Sequence, residues 1–167
     1  MRNPPPACVV DASVLIDLDD GGLLPSLRHL PFRLIVPDVV AEEYEQPGSQ
    51  DLRACGFAVE ELSASDVAEI EALAGQHSRA LSLMDLSVLV LAKRLDALLL
   101  TGEKPLRQAA SQHKVRVHGT LWVLDEMVNR RLVSPSRATE ALGRMLAAGS
   151  RMPKDECQKR LARWRKE

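Results

Sequence analysis

An α/β fold with a mostly parallel sheet follows from three features of the chain. Short apolar runs alternate with segments of helical spacing, in the order β-α-β-α-(β)-α-α-β-α-β-α. The longest apolar stretch, residues 83–92, is apolar on nearly every side and reads as a buried central helix. The 167 residues, 46% hydrophobic and 27% charged, describe an ordinary globular chain with room for one sizeable core. Helices should therefore cover both faces of the sheet.

The elements follow in order. Ala7-Cys8-Val9-Val10 is a first strand, and residues 13–19 a helix with Val14, Leu15 and Leu18 on one face. Gly21-Gly22 breaks it, and residues 23–30 form a further helix before Pro31. Residues 33–36 are a second strand; Pro37-Asp38 turns and caps a helix over 39–45, which Pro47-Gly48-Ser49 closes. Residues 57–62 alternate weakly, as an edge strand does. Ser65-Asp66 caps a helix to about residue 76, with Val67, Ile70, Leu73 and Ala74 at helical spacing. A helix over 82–95, a buried strand over 97–100, a helix over 104–112 and a short strand over 115–117 complete the alternation. From Gly119 onward the chain is helical, over 120–131, 136–148 and 153–166. Pro135 stands early in its helix, where the missing N–H costs nothing.

Composition narrows the function. The longest apolar stretch contains Asp85 and is too short to cross a bilayer. The opening Met1-Arg2-Asn3-Pro4-Pro5-Pro6 lacks a signal-peptide core, reads as an extended arm and leaves the cytoplasm as the expected compartment. Cys8, Cys55 and Cys157 match neither a disulfide framework nor a metal motif, and Cys8 reads as a small core residue. His29, His77, His113 and His118 are dispersed without ligand spacing, and an aromatic content of 3% argues against a stacking platform for single-stranded bases. Trp122 is expected in the core, and Trp164 against the domain or a partner. Net charge is −1, yet residues 151–167 carry seven Lys and Arg. That basic end could meet phosphates or simply form a solvated helix face.

The chemistry is carried by four acids placed after apolar runs: Asp11, Glu43, Asp85 and Glu103. In a parallel sheet, residues just past the strand ends gather in one crevice. Carboxylates crowded there repel each other and call for a cation; hard oxygen ligands favour Mg²⁺ or Mn²⁺. Each acid also has a structural reading. Asp11 could cap the first helix, Asp85 could close a capping box with Ser82, Glu103 lies in a first helical turn, and Glu43 could face solvent. Their joint placement favours a shared site. Ser13 and Thr101 add hydroxyls two residues from Asp11 and Glu103.

The ordered set of segments resembles the PIN domain family, in particular the compact prokaryotic members that include VapC-type toxins. The matching stretches are Val9-Val10-Asp11-Ala12-Ser13-Val14-Leu15-Ile16, Pro37-Asp38-Val39-Val40-Ala41-Glu42-Glu43-Tyr44, Leu81-Ser82-Leu83-Met84-Asp85 through Lys93, Leu100-Thr101-Gly102-Glu103-Lys104 and Gly119-Thr120-Leu121-Trp122-Val123-Leu124. The resemblance implies a three-layer α/β/α nuclease domain over 7–132, followed by a C-terminal helical extension over 133–167. It implies a divalent-metal-dependent endoribonuclease leaving a 5′-phosphate and a 3′-hydroxyl, with Asp11, Glu43, Asp85 and Glu103 as catalytic metal ligands. Glu42 is an alternative to Glu43. Glu103 fills a position usually held by Asp, which moves the carboxylate outward. Lys104 and Arg107 could contact RNA phosphates. The resemblance further implies a homodimer and the toxin role in a type II toxin–antitoxin pair, its antitoxin protein laid over the groove. Two other readings stay open: a catalytically impaired RNA-binding or scaffold protein, suggested by Glu103, and a structure-specific DNA nuclease.

Overall fold

The computed structural model describes residues 2–47, 49–77 and 80–167. Five strands form one sheet: β1 (Ala7–Val10), β2 (Arg33–Pro37), β3 (Ala58–Glu60), β4 (Leu98–Leu100) and β5 (Val117–His118). Their order is β3-β2-β1-β4-β5, and every pairing is parallel. The interior strands are apolar on both faces because both are covered, as parallel strands require. The chain leaves β1 towards β2 and later returns to β1's other side with β4. The order therefore reverses between β1 and β4, where a crevice opens past their carboxyl ends.

Eight α-helices occur among the described residues: α1 (Ala12–Asp20), α2 (Asp38–Tyr44), α3 (Ala64–Gln76), α4 (Leu83–Arg94), α5 (Lys104–Gln112), α6 (Thr120–Asn129), α7 (Pro135–Ala147) and α8 (Lys154–Trp164). The segment Leu24–His29 is a 3₁₀ helix rather than an α-helix; Pro25 sits at its start and Pro31 follows closely, so little α-helical run is left between them. α4 lies on β1 and β2 with α3 and α5 beside it, while α1 packs with α6 and α7. Residues 86–92 of α4 are all buried, as its uniform apolarity anticipates.

Local boundaries moved for identifiable reasons. The cap of α3 is Ser63, two residues ahead of the expected Ser65, because Asp66 reaches back to the Ser63 amide while the Ser63 hydroxyl accepts from the Asp66 amide. The Pro47-Gly48-Ser49 turn includes Gly48, which lies outside the described residues; α2 itself ends at Tyr44. The last strand is Val117–His118, shifted towards the loop that follows.

The C-terminal helices share the sheet's core. Ala138, Ala141, Leu142 and Met145 are fully buried, as are Cys157 and Trp164 nearly so. The turn after α1 makes the seam with α7: a Cβ on Gly21 would lie 2.5 Å from the Met145 methyl and 3.3 Å from the Ala141 Cβ and carbonyl. Arg160 pairs with Asp125 of α6 at 2.8 Å and Arg163 with the same carboxylate, so part of the basic end serves to dock α8. Trp164 docks on the domain. Burial pushes the Cys8 thiol up to about 12, which leaves it an inert core group. Among the described residues, no helix is long and apolar enough to cross a membrane.

Candidate active site

Asp11 is the residue directly past β1, and the site is built around it. Its amide donates to the Leu100 carbonyl at 2.9 Å, so β1 and β4 are still paired where the side chain emerges. Asp11 occupies the N-cap position of α1, yet its side chain makes no capping bond. Its Oδ2 instead accepts from the Ser13 hydroxyl at 2.8 Å and from the Thr101 hydroxyl at 2.8 Å. Thr101 is fully buried, and its oxygen also accepts from the Glu103 amide at 3.1 Å. The Ser13 oxygen accepts from the Gly102 amide at 3.0 Å. Two hydroxyls thus tie the β1–α1 and β4–α5 turns to one carboxylate. Since a hydroxyl both donates and accepts, each can serve a carboxylate and an amide together.

The electrostatics of Asp11 are unfavourable to its charge. Burial pushes its proton affinity up, the Ser13 and Thr101 hydroxyls oppose this, and the nearby Asp85 carboxylate pushes it up again. The net shift is upward. Asp85 comes from the first turn of α4 and is half-buried. Its side chain closes the anticipated capping box, with Oδ2 accepting from the Ser82 amide at 2.9 Å.

The other two acids stand further out. Glu103 is the exposed N-cap residue of α5, without a side-chain capping bond. Glu43 lies in the last turn of α2 and is exposed, as is Glu42 beside it. The structure therefore brings Asp11, Asp85, Ser13 and Thr101 together and leaves Glu43 and Glu103 as solvated arms on adjoining elements. Among the described residues, no group of three or more His, Cys, Asp or Glu side chains is gathered closely enough to hold a metal ion. The inner pair nonetheless suits one. A buried carboxylate repelled by a second is relieved by a cation, and Mg²⁺ is commonly held through one or two carboxylates with water filling its shell.

Beside these acids lies a cleft of about 710 Å³. The α1 residues Ser13, Ile16, Asp17 and Asp20 form one wall, Gly102, Glu103 and Arg107 the floor, and the 148–153 turn with Arg160 the far side. Asp17 accepts from the Thr120 hydroxyl at 2.7 Å, which fixes α6 against α1. Sequence reasoning missed this wall, although residues 13, 16, 17 and 20 share one helical face and Ile16 is an apolar residue left 51% exposed. It also placed Trp122 in the core. Trp122 is half-buried and stacks on His118, with ring centroids 4.4 Å apart and planes 6° from parallel. Two histidines far apart in sequence also meet, the Nε2 atoms of His77 and His113 lying 3.4 Å from each other.

A family model described as a PIN domain matches residues 7–166. The match runs through both the sheet and the C-terminal helices. A search of curated proteins gave no match. The parallel sheet flanked by helices agrees with the family's architecture, and nuclease chemistry on a nucleic acid is the family's general activity, typically with divalent metals. With nearly its whole length matched, the chain belongs to the PIN domain family.

Proposed function

We propose that this protein is a divalent-metal-dependent endoribonuclease whose site is centred on Asp11 and Asp85. The observation that carries the reading is the Asp11 carboxylate, buried at the sheet's switch point, held by two hydroxyls and repelled by a second acid. Asp11 and Asp85 would hold Mg²⁺ or Mn²⁺, with Glu43 and Glu103 as additional carboxylates reaching in from α2 and the N-cap of α5. Such an ion supplies charge neutralisation at phosphoryl oxygens and a more acidic water.

The chain's own residues do the positioning. Ser13 and Thr101 fix Asp11 Oδ2, so the carboxylate needs little reorganisation when a ligand arrives. Arg107, one turn beyond Glu103, lines the cleft and is placed to pair with a substrate phosphate. Glu103 in a position usually held by Asp has the reach to act at the cleft rather than at the buried centre.

Cleavage of a labelled RNA with Mn²⁺ tests the reading, comparing wild type with Asp11→Asn and Asp85→Asn. Loss of at least a hundredfold in both variants is expected; equal cleavage by all three would place the activity elsewhere. A flap-DNA substrate run in parallel separates the DNA nuclease. The scaffold reading draws support from the exposed Glu43 and Glu103, and predicts no Mn²⁺ binding by wild type in a titration. Toxicity on induced expression, and its relief by a small partner protein, is the expected behaviour of a toxin. Sedimentation analysis checks the dimer.

A further inference from the structure

We propose that His118, backed by Trp122, forms a stacking subsite for an unpaired nucleobase next to the acidic centre; this rests on the nuclease reading above and specifies its substrate. Three rings run outward from the core. Phe32 and Trp122 lie 5.8 Å apart at 46°, and Trp122 and His118 lie 4.4 Å apart at 6°. Phe32 and Trp122 are half-buried and His118 is exposed, so the open end of this ladder is the imidazole. His118 and Trp122 both line the cleft that contains Ser13, Gly102 and Glu103. The aromatic content of 3% argues against an extended stacking platform, but a single stacking position needs few rings, and two of the chain's five Trp, Tyr and Phe build this one feature with His118.

The position suits a substrate spanning the cleft. His118 ends β5 in register with Leu100, and its carbonyl accepts from the Thr101 amide at 3.0 Å. Thr101 in turn holds Asp11. The His118 backbone is thus two strands away from the end of β1 where Asp11 follows, a backbone separation of about 10 Å at the usual inter-strand spacing. A phosphodiester at the acids leaves a neighbouring base within reach of His118. Burial and the Arg107 charge keep His118 below its ordinary proton affinity, so it presents a neutral ring at neutral pH. The Arg107 guanidinium lies against Gly119, the residue after His118, and lines the same cleft, where it can meet a substrate phosphate.

An unpaired base is the ligand because every base offers a flat π face, whereas a duplex keeps those faces covered. The ladder reads the base and not the sugar. Ribo- and deoxyribo-oligonucleotides of one sequence should therefore depend equally on His118.

Binding of a labelled six-nucleotide RNA to the Asp11→Asn protein, followed by fluorescence anisotropy, tests the proposal. His118→Ala should weaken binding about 5- to 150-fold, the range corresponding to one base stack. His118→Tyr should restore it, and Arg107→Ala should lower affinity in a salt-dependent way. Scanning an abasic nucleotide along the RNA should find one position whose loss matches that of His118→Ala and does not add to it. Undiminished binding by His118→Ala, or additive losses at every abasic position, overturns the subsite and leaves the nuclease reading intact. No binding of any oligonucleotide by the Asp11→Asn protein overturns both.

Discussion

Replacing Asp11 by Asn should stabilise the metal-free protein while removing its activity. The carboxylate is 4% exposed, and burial with the neighbouring Asp85 outweighs the Ser13 and Thr101 hydroxyls, so its proton affinity is raised. Asn keeps the shape and an oxygen that both hydroxyls can still address. What disappears is the buried charge. Relieving a functional site of such a cost commonly stabilises by about 0.5–2 kcal/mol. For a chain of this size that raises Tm by about 1–8 °C. The pH dependence follows from the sign of the shift. A folded-state value above the unfolded 3.8 means the cost is absent below 3.8 and grows as pH rises through the folded value. The two proteins should therefore differ little in acid and separate towards neutrality. Saturating Mn²⁺ should reverse the order. An ion bound only by the native wild type at a hundred times Kd adds about 2.7 kcal/mol, roughly 5–11 °C. Scanning calorimetry in EDTA and then in Mn²⁺ reads all of this. If Asp11→Asn is less stable in EDTA at neutral pH, and by the same amount at pH 3.5, the hydroxyl bonds dominate and the account of the site is wrong.

Three further outcomes follow from the same geometry. Thr101→Val removes a donor to a buried carboxylate and the acceptor for the Glu103 amide, which should cost about 2–4 kcal/mol in urea unfolding; Thr101→Ser should lose much less, and equal losses would mean that the methyl matters as much as the hydroxyl. Burial, Lys93 and His77 hold His113 below its ordinary value of 6.5, with Glu69 opposing. The unfolded chain then takes up that proton first, so stability should fall as pH drops below 6.5, and His113→Gln should flatten the profile between about pH 5 and 7; an unchanged slope argues against this partly buried contact. Gly21→Val drives its side chain into Met145 and against Ala141 of α7, and its backbone φ of −76° adds no strain, so overpacking alone should cost about 1–3 kcal/mol. No effect would show that α7 is free to move away from α1.

The fold was legible because its determinants are local or nearly so. Apolar runs such as Ala7-Cys8-Val9-Val10 carry no polar face, which a parallel strand covered on both sides does not need. α4 announced its burial by having no polar stripe. The misreadings came where two local preferences competed. Residues 23–30 contain enough Leu for a helix, but the prolines bounding them leave a 3₁₀ helix. At α3, Asp66 could cap the helix or complete a box with Ser63, and only the second arrangement also presents its carboxylate to Arg94, 2.9 Å away on the neighbouring helix. That partner is 28 residues further along and leaves no trace in the local pattern.

The candidate site divides along the same line. Asp11, Thr101 and Glu103 could be placed together because strand ends of a parallel sheet meet at one edge, a rule that needs only the order of elements. What the rule cannot supply is direction. Asp85 sits in a segment that reads equally as a capping box or a ligand; its Oδ2 accepts from the Ser82 amide, while its charge still acts on Asp11. A capping carboxylate and a metal ligand therefore need not be alternatives. A carboxylate has two oxygens, and the helix N-terminus engages one of them. The cap holds Asp85 beside Asp11 in the absence of any ion, at the cost of like-charge repulsion that a cation would remove. On this view Ser82→Ala should weaken Mn²⁺ binding through Asp85 alone, with no further effect in an Asp85→Asn protein. An undiminished Mn²⁺ affinity in Ser82→Ala would separate the cap from the site and leave Asp85 a structural residue.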